Sequence, residues 1–215
     1  MFVALAAALE QLLAGPATPR RTARRALRGD LIAHGGIASG LDTQTSLYGG
    51  AIRYSVEHEG EPIPAAHGLS LVIGHSGVSA ATSVVNGQVR SWLAERPLRM
   101  HYFQEIGLLT RHAESALAAG DWVELGRLLN LNQLILERIG VSCPALETLI
   151  DAALAAGAFG AKLSGSGGGG IMIALVRAED GQAVARAIGA AGGTAFLLPV
   201  GVPGVEVTVD EAGYA

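Results

Sequence analysis

The apolar residues of this chain recur mainly with a helical period, and helix-ending residues separate them into segments. Residues 1–14 are alanine and leucine interrupted by Glu10, and Gly15-Pro16 follows, which predicts a buried first helix. A second helix is predicted to begin at Thr18-Pro19 and to present a basic face to solvent. Further helices are predicted over residues 80–95, 99–119, 122–139, 142–156 and 180–191. Asp121 is a predicted N-cap, and Gly140 is a predicted C-terminal stop.

The remaining apolar positions are typical of β-strands. Strands are predicted over residues 48–59, 69–73, 171–176, 194–198 and 205–209. A proline-containing turn at residues 60–64 predicts a hairpin between the first two of these strands. A few antiparallel strands among packed helices predict an α+β fold.

Composition and charge narrow the class of protein. The chain has 215 residues, a net charge of −4 and one cysteine, so a broad nucleic-acid surface and an internal disulfide are not expected. No apolar stretch reaches the length of a membrane span. The first 14 residues lack the basic start of a signal peptide. We therefore expect a cytoplasmic protein with no nucleic-acid or membrane partner.

The most informative segment is the glycine-rich run within residues 160–170, which leads directly into an apolar strand. Gly165, Gly167 and Gly170 satisfy G-x-G-x-x-G, but the dinucleotide fingerprint must open a helix, and the Walker loop requires a Lys-Ser/Thr pair that is absent here. The alternatives are a flexible hairpin connection and a loop whose backbone amides contact phosphate. The number of glycines favours phosphate contact.

A second segment, residues 30–50, combines acids with glycines. Asp42 follows Ser39-Gly40 at a predicted helix start, where either N-capping or a catalytic role would explain it. Taken singly, His34 is typical of a structural histidine and Asp30 of a surface acid. Phosphoryl transfer requires amides around the phosphates, a carboxylate for Mg²⁺ and an acid at the attacking hydroxyl. The 164–170 loop, Asp30 and Asp42 are candidates for these three parts.

These segments resemble the GHMP kinase superfamily and, within it, the mevalonate kinase family. Residues 162–170 (Lys-Leu-Ser-Gly-Ser-Gly-Gly-Gly-Gly) are similar to the superfamily's third motif. Residues 34–54 are similar to the family's His-Gly-x-Pro-Ser-Gly-x-Asp segment and the Gly-Gly-x-x-x-Tyr that follows it. Further similarity runs through residues 77–82, 132–133 and 139–144, so the resemblance covers nearly the whole chain.

The resemblance implies an ATP-dependent kinase that phosphorylates the primary hydroxyl of mevalonate, with Mg²⁺ as cofactor. It is also compatible with a homodimer. It implies a GHMP fold, with residues 1–95 as the remainder of the N-terminal domain (ribosomal protein S5 domain 2-like) and residues 96–215 as the C-terminal domain. The implied roles are catalysis by Asp42, metal binding by Asp30, ATP binding by Ser164, Gly165, Gly167, Gly168 and Gly169, and substrate binding by His34, Ser39 and Ser166.

The chain also departs from the family pattern. One extra residue separates His34 from Asp42, the usual proline is absent, Asp30 stands in place of glutamate, and Ser166 replaces alanine. The family's first two motifs have no counterpart, so we expect the chain to lack an N-terminal portion and to be a poor kinase alone. The alternatives are another GHMP kinase, acting on phosphomevalonate or a sugar, and a non-catalytic remnant that binds a ligand or serves as a dimer partner.

Overall fold

The computed structural model describes residues 1–33, 38–65 and 68–208, which divide into two compact units. The first unit comprises Met1–Ala65 with the stretch that follows Val200, and the second comprises Ala66–Val200. These compact units divide near residue 65, because residues 69–75 join a sheet made with strands from later in the chain. The domain boundary between residues 95 and 96 stays a prediction.

Within its described residues, the first unit contains three helices and a two-stranded hairpin. They are α1 (Phe2–Ala14), α2 (Pro19–Ala33), α3 (Leu41–Tyr48), β1 (Ile52–Ser55) and β2 (His58–Pro62). Small side chains form most of its core, because Ala6, Ala23 and Ala26 are buried together with Val3 and Leu47.

One carboxylate is buried in this core. Glu10 on α1 has no exposed surface; its Oε2 accepts a 2.8 Å hydrogen bond from the Thr22 hydroxyl, and its Oε1 forms an ion pair with Arg21. Removing a carboxylate from water is costly unless such partners are present. Arg21 therefore holds α2 against α1, whereas the sequence predicted only a solvated basic face.

The second unit is an antiparallel sheet with helices on both faces. The strands are β3 (Leu69–His75), β4 (Gly160–Ser164), β5 (Ile171–Arg177) and β6 (Thr194–Pro199), in the spatial order β4-β5-β3-β6. The helices are α4 (Thr82–Glu95), α5 (His101–Ala119), α6 (Trp122–Ile139), α7 (Pro144–Ala155) and α8 (Gly181–Ala190), and a short 3₁₀ helix (Pro97–Met100) precedes α5.

Alternate side chains of the strands enter two hydrophobic clusters, as the pleat of a sheet requires. On β5, Met172 and Val176 belong to the larger cluster, which α7 and α8 complete. Leu175 belongs to the smaller cluster, where it packs with Leu128 of α6 and Ala116 of α5. The sheet is therefore buried on both sides.

Helix α6 covers the outer edge of β4. The Asn130 Oδ1 accepts a 2.9 Å hydrogen bond from the Ala161 N–H, and the Gln133 Oε1 accepts one of 2.9 Å from the Leu163 N–H. These side chains take the place of a neighbouring strand, so the edge amides are not left unpaired. Gly160 makes the close approach possible, because a Cβ there would lie 2.1 Å from a backbone oxygen of α6.

The sequence predicted the helices well, including the cap of α6, where the Glu124 N–H donates to the Asp121 Oδ1 over 3.0 Å. Two strand predictions are wrong. Residues 48–59 do not form one strand, because the chain turns after Ser55 and β1 pairs with β2, while β3 pairs with β5 and β6. Residues 205–208 form no strand, and the neighbouring Pro203 makes only an isolated bridge to Gly49.

Candidate active site

The glycine-rich segment forms the connection between β4 and β5, as the sequence predicted. Ser164 and Ile171 are the last paired residues of the two strands, so residues 165–170 form the loop. Five of these six residues have positive φ values: Gly165, Gly167, Gly168, Gly169 and Gly170. Side-chain-bearing residues rarely adopt this conformation, so the backbone path itself requires glycine.

Two neighbouring segments hold the loop in place. The Gly168 N–H donates to the Val141 carbonyl and the Gly170 N–H donates to the Val78 carbonyl, each over 2.8 Å. The contacts leave no room for side chains, because a Cβ at Gly167 would lie 2.0 Å from the Val141 oxygen. These two N–H groups are therefore already hydrogen-bonded within the protein. In this they differ from the other loop amides, for which the sequence predicted contact with a phosphate.

The other side of the loop is open. Gly165 and Gly170 have no atom within 4 Å of the position where a Cβ would stand. Within the described ranges, the amides of Gly165, Ser166, Gly167 and Gly169 have no hydrogen-bond acceptor. Successive unpaired N–H groups of this kind form a concave site for an anion.

Hydroxyl groups surround the open face of the loop, in a depression of about 300 Å³. Its polar lining includes His75, Ser79, Thr82, Ser164 and Ser166. The hydroxyls of Thr82 and Ser166 lie 3.3 Å apart, and Thr82 is the first residue of α4. Neutral donors and a helix N-terminus are both suited to phosphate oxygens.

In the first unit, Asp42 lies in the first turn of α3 and is exposed. The helix is preceded by Gly40 in a left-handed conformation, and Asp42 has no hydrogen bond or ion pair with any residue in the described ranges. The structure therefore shows no capping bond from this carboxylate.

The turn before α3 is held by a residue that the sequence analysis did not assign to the site. The Tyr54 hydroxyl donates to the Ser39 carbonyl, and a Cβ at Gly40 would lie 3.0 Å from the Tyr54 oxygen. The Ser39 Oγ accepts the Leu41 N–H over 3.3 Å. The signal for Tyr54 was its place in the Gly-Gly-x-x-x-Tyr segment, which was used only as part of the resemblance.

Asp30 lies near the end of α2 and is partly buried. Among the described residues, no group of three or more His, Cys, Asp or Glu side chains could hold a metal ion. Mg²⁺ is commonly held by one or two carboxylates together with substrate phosphates, so Asp30 alone is compatible with a nucleotide-borne Mg²⁺. His34 lies outside the described residues.

The structure thus brings the predicted loop residues together in the second unit and places Asp30, Ser39 and Asp42 in the first. Sequence reasoning missed the carbonyls of Val78 and Val141 as anchors of the loop. Both lie within segments that were noted only for their family similarity.

Comparison with known proteins gives three findings. Residues 113–194 match the family model described as GHMP kinases C terminal. A mevalonate kinase of Thermococcus gammatolerans is 33% identical over 211 residues, which are 95% of this chain and 62% of that protein. The crystal structure of L. major mevalonate kinase in complex with R-mevalonate is 30% identical with a TM-score of 0.76, and the match covers 88% of this chain and 59% of that one.

Residues 113–194 therefore carry a GHMP kinase C-terminal region, and the structure has the fold of the GHMP kinases. This confirms the fold that the resemblance implied. A galactokinase of Lactococcus lactis in complex with galactose, 20% identical with a TM-score of 0.71, shows the same fold. A mevalonate kinase of Pyrococcus abyssi is 35% identical over 80% of this chain and 52% of its own length. The chain therefore spans between about half and two thirds of the length of these relatives.

No helix in the described parts of the chain combines the length and the apolar character needed to cross a bilayer.

Proposed function

We propose that the protein to which this chain belongs transfers the γ-phosphoryl group of ATP to the primary hydroxyl of mevalonate, giving 5-phosphomevalonate. The observation that carries the proposal is the glycine loop, whose residues with unpaired amides line an open depression together with several hydroxyl groups. The similarity to proteins named mevalonate kinase, at 33% and 35% identity, supports mevalonate as the acceptor.

In this proposal the loop binds the phosphates of ATP. Ser164, Gly165, Gly167 and Gly169 surround the phosphate oxygens, and the free N–H groups donate to the negative charge that spreads over the transferred group. Gly168 contributes through its conformation, because its own amide is held by Val141.

The roles on the acceptor side of the reaction follow the family resemblance, residue by residue. Asp42 faces the mevalonate hydroxyl, which it orients and whose proton it accepts as the new O–P bond forms. His34, Ser39 and Ser166 position mevalonate. Asp30 would hold the Mg²⁺ that accompanies ATP, and this ion would neutralise phosphate charge.

Release of ADP tests the proposal. The chain is joined to the part of the T. gammatolerans relative that lies outside the match, and turnover is measured with ATP, Mg²⁺ and mevalonate, with the intact relative as positive control. We expect mevalonate-dependent ADP release from the joined protein, and release that is slower by ~10²–10⁴-fold from its Asp42→Asn variant.

Two other acceptors decide between related activities. Faster turnover with galactose or phosphomevalonate than with mevalonate would identify another GHMP kinase. If no acceptor supports ADP release while the relative is active, the chain is a non-catalytic member of the superfamily.

A further inference from the structure

Lys162 is the single lysine of this chain, since fourteen of the fifteen Lys and Arg residues are arginines. It lies in the middle of β4, and both of its neighbours in the strand, Ala161 and Leu163, are buried. Arginine and lysine differ in shape and hydration, because an ammonium group is a compact point charge on a flexible stem. A chain that otherwise uses arginine therefore has a lysine at an interior position.

The Lys162 side chain enters a cavity of about 260 Å³ between the sheet and the α5–α6 pair. Most of its wall is aliphatic, from Leu109, Leu128, Leu129 and Ile173. The other polar groups are Asn132 and Thr110, and the Thr110 hydroxyl already donates to the Ile106 carbonyl over 2.8 Å. An apolar cavity with a few convergent polar groups is typical of a small-molecule site.

The ammonium group lacks a counter-ion. Its Nζ donates one hydrogen bond of 2.6 Å, to the Leu163 carbonyl, and no carboxylate in the described ranges forms an ion pair with it. Burial lowers the pKa of Lys162 because the charged form loses its hydration. Two of its three N–H donors are thus left for another acceptor.

We propose that this cavity binds a small aliphatic monocarboxylate, with the carboxylate against Lys162 and the alkyl chain against the leucine wall. A single cation matches a single negative charge, whereas a phosphate dianion would leave charge uncompensated in an apolar cavity. The Asn132 amide supplies a second, neutral donor.

This cavity is separate from the depression at the glycine loop, and no residue lines both. Both the cavity and the depression lie on the same face of the sheet. Lys162 pairs with Ile173 and Ser164 pairs with Ile171, and residues two positions apart on a strand point to one face. The site does not depend on the proposed kinase activity.

The single lysine makes the test direct. Labelling the 215-residue chain with ¹³C-lysine gives one Cε resonance, whose pH titration reports the pKa of Lys162. We expect hexanoate to bind at about millimolar concentration, as a small ligand with one ion pair should, and to raise this pKa because the carboxylate stabilises the ammonium form. If about 10 mM hexanoate leaves the resonance and its pH midpoint unchanged, the proposal is wrong.

An uncharged ligand and two variants test whether the charge of Lys162 is responsible for binding. Lys162→Met should weaken hexanoate binding at least about tenfold while changing 1-hexanol binding by less than about threefold. Arg111→Met, which removes an exposed cation from α5, should leave hexanoate binding unchanged. Equal losses for hexanoate and hexanol in Lys162→Met would also refute the proposal, and the titration of the unaltered chain decides the matter if that variant does not fold.

Discussion

Alanine substitutions at Gly165 and Gly167 should separate the two roles of the glycine loop. Both residues have nearly the same φ, +88° and +85°, so either substitution forces alanine into the left-handed region at a cost of ~1–2 kcal/mol. Only at Gly167 does the new Cβ meet the protein, 2.0 Å from the Val141 carbonyl oxygen. The loop must then move and give up the Gly168–Val141 hydrogen bond, which adds ~1–3 kcal/mol.

We therefore expect Gly167→Ala to destabilise the second unit by ~2–5 kcal/mol and Gly165→Ala by only ~1–2 kcal/mol. Urea unfolding followed by tryptophan fluorescence measures this difference, because both tryptophans of the chain, Trp92 and Trp122, lie in the second unit. The order should reverse for ATP binding. Relative to the loss of stability that each substitution causes, Gly165→Ala should weaken ATP binding more than Gly167→Ala does, because the methyl group at position 165 enters the open depression. Equal destabilisation by the two substitutions would refute the packing argument.

Three further outcomes are expected. In the joined protein used for the ADP assay, Asp42→Asn should lower kcat by ~10²–10⁴-fold with an unchanged unfolding midpoint; near-normal kcat would leave Asp42 without a catalytic role. Gln133→Leu should cost ~1–3 kcal/mol in urea unfolding because the buried Leu163 N–H loses its acceptor, and no loss would mean that water replaces it. Because the pKa of Lys162 is lowered in the folded chain, the unfolded chain binds more protons, so stability should rise as pH increases through this lowered pKa toward the unfolded value; Lys162→Met should remove that rise.

The sequence was sufficient where local chemistry decides the structure. Helix boundaries follow from capping and stop residues such as Asp121 and Gly140, whose effects act within one turn. The strand-loop-strand form of the glycine segment also follows from local conformational preference. These parts of the fold were predicted correctly.

Long-range partners decided the remainder. Whether β1 pairs with β2 or β3 depends on which strands the sheet of the second unit recruits, and no local pattern at residues 56–60 encodes that choice. Likewise, the commitment of the Gly168 amide depends on Val141, which lies 27 residues earlier in the chain. The sequence shows that the loop is rich in glycine, but not which of its backbone N–H groups remain free to bind a ligand.

The contacts of α6 have a consequence for the motion of the loop. This helix is bonded to β4 through Asn130 and Gln133, and its end leads through Gly140 to Val141, which accepts the Gly168 N–H. The strand that leads into the loop, β4, and the centre of the loop, Gly168, are thus both attached to α6 and its C-terminal end. Hydrogen exchange at Leu163 and at Gly168 should therefore proceed through the same opening event, with similar protection, and the loop should not move as an independent lid over the phosphates.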